Sequence, residues 1–213
     1  MDKIFLLLIT FFLVSCKPDL FEIDLYTSDL DVALEGEIVL VNIKATFEML
    51  GDDDDGDLDR AITIAKKYLS PETTYVQSQG MMGPRMIIET RIPLGSLDSV
   101  NTYLTNQPAI AVLTLEEDRI NLLTTTKMDA LDRELSGMNF MLGFDWPPKS
   151  TSFNVISDSR EKKNVSATAV FVKNKGMLYF DQVLNRRDSV KVVFSGESGS
   201  VYSDDIQPHL YIK

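Results

Sequence analysis

The first sixteen residues, MDKIFLLLITFFLVSC, constrain this chain more than any other stretch. Lys3 supplies a charged start, Ile4 to Phe12 form an apolar run broken only by Thr10, and Leu13-Val14-Ser15-Cys16 closes it. A bilayer-crossing helix needs about 20 apolar residues, so this run is too short to span and has the layout of a secretory signal. The folded part is therefore expected outside the cytoplasm, where disulfides persist, yet Cys16 is the only cysteine. With no disulfide to staple it, the body must be held by its core, and 44% apolar residues are enough for that. One or two domains are expected at this length.

Leu13-Val14-Ser15-Cys16 resembles the lipobox of bacterial membrane lipoproteins, over the signal and the residue or two after it. The resemblance implies that the Cys16 sulfur receives a diacylglyceryl group, that cleavage removes residues 1–15, and that the new amino group of Cys16 is acylated, often with palmitate. Several acyl chains make anchoring effectively permanent, whereas one myristoyl chain is marginal. Lys17 follows the cysteine where an aspartate would favour the inner membrane, so the resemblance points to the outer membrane, facing the periplasm. Lys17-Pro18-Asp19 leaves a very short tether before the folded part.

Cleavage would remove one acid, Asp2, and one base, Lys3, so the formal charge of −11 is unchanged. A chain this acidic is repelled by nucleic-acid phosphates and by anionic lipid headgroups, which leaves the acyl chains to do the anchoring.

Periodicity divides the remainder. Phe21, Ile23 and Leu25 alternate with Glu22, Asp24 and Tyr26, and residues 37–49 alternate more clearly, with Val39, Val41, Ile43, Ala45, Phe47 and Met49 on one face. Leu58, Ala61, Ile62, Ala65, Tyr68 and Leu69 recur at helical spacing, with carboxylates at the helix's positive end and Ser70-Pro71 stopping it. Thr73 to Gln77 and Met86 to Ile92 read as a hairpin around Gly80-Met81-Met82-Gly83-Pro84. Ser96 is a candidate N-cap for a helix with Leu97, Val100 and Leu104 on its buried stripe, and two strands follow, Ala109 to Leu115 and Ile120 to Thr125. Residues 37–116 thus spell strand, helix, strand, strand, helix, strand. That order predicts an α+β fold, an antiparallel sheet with two or three helices in a ferredoxin-like βαββαβ unit.

Met128, Leu131, Leu135 and Met138 suggest a third helix, and Trp146-Pro147-Pro148 marks a boundary. Strands are expected at Val165 to Val172, Met177 to Phe180, Ser189 to Phe194 and His209 to Ile212. The expected organisation is a lipid-anchored α+β domain over 16–145, then an all-β C-terminal domain or sheet extension over 146–213.

Few residues invite chemistry. Asp53, Asp55 and Asp57 alternate around Gly56 as in oxygen-rich calcium loops, and they are the one weak metal candidate. With Gly56 at the sixth place of a calcium loop, the first and twelfth fall on Gly51 and Ile62, which cannot supply carboxylates, so a solvated loop feeding a helix start is the better reading. His209 is the only histidine, no Gly-x-Ser-x-Gly elbow is present, and Ser198 sits in a turn between Glu197 and Gly199. No catalytic residue, no zinc or redox-metal set and no cofactor is expected. Met81 and Met82 could offer an adaptable apolar contact, and Asn164-Val165-Ser166 fits a glycosylation pattern that a bacterial lipoprotein would not use.

The expectation is a binding or structural module of the bacterial envelope, not a catalyst, attached to the membrane by its lipid and contacting an envelope protein. The short tether and small body resemble uncharacterised lipoproteins of bacteria and their phages, some of which block receptors against a second infection. A carrier of a lipid or other amphiphile is the third reading, and it would need a sizeable apolar pocket.

Overall fold

The computed structural model describes residues 20–48, 56–80, 83–107, 109–138, 150–195 and 209–213. Along them run β1 Leu20–Tyr26, α1 Thr27–Leu34, β2 Val39–Glu48, α2 Asp57–Ala65, β3 Thr74–Gln79, β4 Pro84–Gly95, α3 Leu97–Asn106, β5 Ala111–Glu116, β6 Arg119–Thr124, α4 Thr126–Met138, β7 Ser150–Ile156, β8 Lys163–Val172, β9 Lys175–Leu184, β10 Ser189–Ser195 and β11 His209–Ile212. No helix among them is long and apolar enough to cross a membrane.

Side-chain alternation decides which way each strand faces. Phe21, Ile23 and Leu25 of β1 are buried, as are Val41, Ile43 and Ala45 of β2 and Val190 and Val192 of β10. Register brings these sets together: Ile23 lies opposite Ile43 and beside Phe153 of β7, which lies opposite Val192. The other face of the same strands is polar. There Asn154 donates to Asp24 at 3.1 Å, and Lys191 pairs with Glu22 across the intervening β7.

The strands follow one another in the order β10-β7-β1-β2-β4-β5-β6-β11-β8, and β8 pairs back to β10, closing a nine-strand barrel. β3 and β9 lie off this ring, on β4 and β8. Seven pairings in the ring are antiparallel and two, β1 with β7 and β4 with β5, are parallel. An odd number of reversals cannot return a strand direction to itself, so one strand must bend sharply. β8 carries the features of that bend. It pairs with β11 through Val165 to Ala167 and with β10 through Phe171 and Val172. Between the two segments Ala169 takes φ +52°. Burial changes phase there, from Val165 and Ala167 to Val170 and Val172. A single left-handed residue therefore turns the strand and swaps the face it presents, while the register against β9 is the same on either side of it.

Three of the four helices among the described residues close the ends. α1 follows β1 directly, touches β1, β2 and β4, and reaches the far side of the ring where Asp31 pairs with Lys163 of β8 at 2.7 Å, so it spans one mouth. Its Leu30 and Ala33 join the same core cluster as the barrel's inward residues. α2 leaves the opposite end, because β2 runs antiparallel to β1. It packs against α4, and Leu58, Ala61 and Ala65 with Met128, Leu131 and Leu135 complete the core there. Glu134 accepts from Lys67 Nζ and from the Tyr68 hydroxyl, both at 2.7 Å, tying the two helices together. α3 lies outside the ring against β4 and β5, and the Ser96 side chain accepts from the Ser99 N–H, the capping expected there.

The ferredoxin-like α+β sheet expected from the element order does not form. That unit requires its first and third strands to lie side by side in parallel, with the fourth on the first strand's other edge. Here the corresponding strands, β2 and β4, are antiparallel from Val39 opposite Leu94 to Glu48 opposite Arg85. β5 joins β4 instead, and β1 occupies the second edge of β2. The result is mostly β, with about half of the described residues in strands, a sheet that closes on itself, and helices set at its ends and, for α3, outside the ring. One sheet runs through both parts of the chain, since β7 sits between β1 and β10 and β11 sits between β6 and β8.

Candidate functional site

Polar side chains converge at the mouth spanned by α1. β1 and β7 run parallel, with Tyr26 beside Ile156, so the segments after them emerge together. Tyr26 precedes α1 and gives it no side-chain cap. Asp158 takes that role from the other segment. Its Oδ1 accepts from the Ser28 N–H at 2.9 Å and the Thr27 hydroxyl at 3.0 Å, and its Oδ2 accepts from the Ser28 hydroxyl at 2.6 Å. Thr27, itself buried, accepts in return from the N–H groups of Asp158 at 3.1 Å and Ser159 at 3.2 Å. One carboxylate thus satisfies helix-terminal donors that would otherwise be orphaned.

Two carboxyls in this cluster are displaced in opposite directions. Burial opposes ionisation of Asp158, but the hydrogen bonds from the Ser28 hydroxyl, the Ser28 N–H and Thr27 outweigh it and hold the group below its ordinary value. Asp29 is pushed up, first by burial and then by the negative charge of Asp158, against a lowering hydrogen bond from the Tyr26 backbone. Acids driven apart in this way are what general acid–base catalysis uses. Both oxygens of Asp158 are engaged by α1, however, and the chemistry the arrangement performs is helix capping.

No protein-family model matches the chain, and no curated protein matches it. Asp158→Ala is expected to cost about 1 kcal/mol, the usual worth of an N-cap, measured as the shift of the urea midpoint at pH 7. The pH dependence has a definite sign. A carboxyl lowered on folding stabilises above its unfolded pKa, about 3.9, and that contribution is lost as pH falls through the folded value. The gap between the wild type and Asp158→Ala therefore closes in acid. Part of the loss at pH 7 is offset because Asp29 no longer faces a like charge.

Where the structure describes them, the residues prominent in the sequence take no part in the Asp158 capping contacts. Cys16, Asp53 and Asp55 lie outside the described residues, as do Met81, Met82 and Ser198. Asp57 opens α2 with an ion pair to Arg60 at 3.1 Å, and Asp59 accepts from Gln77 Nε2 at 2.9 Å. Among the described residues no group of three or more histidine, cysteine or acidic side chains could hold a metal. His209 opens β11, in register with Asn121 of β6. Asn164 and Ser166 belong to β8, and the Asn164 N–H donates to the Lys213 carbonyl at 2.7 Å. The capping cluster itself had no linear signature, because Ser28 and Asp158 are 130 residues apart in sequence.

Proposed function

We propose that the chain is a lipid-anchored lipoprotein of the bacterial envelope, held in the outer membrane by acyl chains on Cys16 and acting in the periplasm as a binding or structural module, not as a catalyst. The observation that carries this reading is the sequence Leu13-Val14-Ser15-Cys16 closing a short apolar run, with Cys16 the only cysteine in the chain. The fold supplies an orientation for such an anchor. Leu20 pairs with Thr46, so the chain enters the barrel at its α2 end. Three residues separate Leu20 from Cys16, so the four Cα steps between them reach about 14 Å when extended. The α2 end would therefore stand against the bilayer and the α1 mouth would face away from it.

The interior supports a module working through its surface more than an amphiphile carrier. Phe21, Ile23, Leu25, Ile92, Leu113 and Phe153 are fully buried and belong to one contiguous cluster, so the barrel is filled by its own side chains where a carrier would hold its ligand.

Intact mass of the detergent-extracted protein tests the anchor. The expected species begins at Cys16 and carries a diacylglyceryl group and an N-acyl chain, whereas Cys16→Ala keeps residues 1–15 and carries neither. An unacylated wild type would overturn the reading. Crosslinking in the native envelope tests the module: one envelope protein should be captured with the wild type and lost with Cys16→Ala. Recovery of lipid alone would favour the carrier.

A further inference from the structure

β9 is left outside the ring. It pairs with β8 from Leu184 opposite Lys163 to Tyr179 opposite Thr168 and again from Met177 opposite Val170 to Lys175 opposite Val172, skipping Leu178, and its other edge has no partner among the described residues. The kink at Ala169 falls on β8, while no residue of β9 has a positive φ, so the outer edge of β9 carries no left-handed residue. Natural edge strands are usually blunted by proline, a bulge or central charges. β9 instead exposes Leu178 at 77%, Tyr179 at 64% and Val183 at 53%. Its two charged residues, Lys175 and Asp181, are exposed, have no ion-pair partner among the described residues, and stand three positions to either side of Leu178.

We propose that β9 is an interface for a second copy of this chain, the two strands pairing antiparallel about a two-fold axis at Leu178. In that register Leu178 faces Leu178 of the second copy, Tyr179 faces Met177, and Lys175 faces Asp181 on both sides of the axis. Opposite charges directly across a strand pair stabilise it, and an isologous interface requires this kind of self-complementarity. Moving the axis to Tyr179 sets Lys175 against Val183 and Asp181 against Met177, which loses both charge pairs. The charge pattern thus selects a second copy as the occupant and fixes the register. The pairing goes beyond the envelope reading and does not depend on the lipid, although confinement to a membrane plane would raise the effective concentration of copies.

Cysteine crosslinking in cells expressing the full chain tests it. Leu178→Cys should give a disulfide-linked dimer under mild oxidation, since directly opposed residues in neighbouring strands bring their Cβ atoms to about 5 Å, near disulfide reach. Val183→Cys should not, because its counterpart in the second copy lies ten strand positions away, about 33 Å. The wild type, with Cys16 alone, is the control. A crosslink there would mean a free thiol at Cys16, which counts against the lipid anchor and leaves β9 unaffected. Charge reversal gives a second readout, by sedimentation of the detergent-extracted chain. Asp181→Lys should be monomeric with an unchanged circular dichroism spectrum, and adding Lys175→Asp should restore the dimer. A wild type that is monomeric at about 100 µM, where any micromolar dimer would be populated, overturns the proposal. So does equal crosslinking of Leu178→Cys and Val183→Cys, or a charge swap that fails to restore association.

Discussion

Phe153→Ala is expected to cost about 4 kcal/mol and to lower a single unfolding transition of the whole barrel. Phe153 is fully buried on β7, beside Ile23 of β1 and opposite Val192 of β10, with its ring edge-on to Phe194 at 5.8 Å and 86°. Removing the ring takes apolar surface out of the core and leaves a cavity that strands fixed on both sides cannot collapse to fill. Against a typical total of roughly 5–15 kcal/mol, that is a large share of the stability. For a chain of this size it corresponds to a fall in Tm of about 10 °C, and Phe153→Leu, which keeps most of the volume, should cost about 1 kcal/mol. The position matters as much as the size of the residue. β7 follows the Trp146-Pro147-Pro148 stretch and pairs with the first strand of the chain, so Phe153 joins sequence-distant parts in one core. Two separate thermal transitions, with only the second moved by Phe153→Ala, would mean that the parts before and after residue 146 unfold independently.

What the sequence made legible was local. The alternation of residues 37–49 marks β2, and its Val41, Ile43 and Ala45 face the interior as that alternation requires. Leu58, Ala61 and Ala65 form the buried stripe of α2, Met128, Leu131 and Leu135 that of α4, and Ser96 caps α3. The elements that escaped notice depend on distant partners. α1 is eight residues long, too short to persist alone, and its N-terminal donors are satisfied by Asp158. β7 reads Ser-Thr-Ser-Phe-Asn-Val-Ile, rich in residues that favour turns, yet Thr151, Ser152, Phe153 and Val155 are all buried because neighbouring strands lie on both sides. The topology failed for the same reason. The strand order within residues 37–116 predicts a sheet closed by that stretch alone, whereas β1 competes for the edge of β2 and wins it with the inward row Phe21, Ile23 and Leu25. The resemblance of Leu13-Val14-Ser15-Cys16 to a lipobox is of another kind, a matter of linear sequence alone, and Cys16 lies outside the described residues.

The bend in β8 yields a prediction whose sign separates two accounts of one residue. Ala169 holds φ +52° inside a strand, a conformation that costs an L-residue about 1–2 kcal/mol. If closure of the barrel requires that conformation, Ala169→Val should destabilise by about 2 kcal/mol, since a β-branched side chain is a marked outlier at positive φ. Ala169→Gly should be close to neutral. Glycine relieves the local strain of about 1–2 kcal/mol but loses about 0.5–1 kcal/mol more chain entropy on folding, which leaves at most a small net stabilisation. Ordinary strand propensity predicts the reverse order, with valine best and glycine worst over a range of about 1 kcal/mol. Urea midpoints for the three proteins therefore decide whether β8 is simply a strand or the hinge on which the ring closes. Amide exchange locates the effect: in Ala169→Val the β10 amides near Val192 and Val193, whose partners on β8 are Val172 and Phe171, should lose protection before those of β11, which pairs on the other side of the bend. Uniform loss of protection along β8, or a valine variant as stable as the wild type, would place the bend elsewhere in the ring.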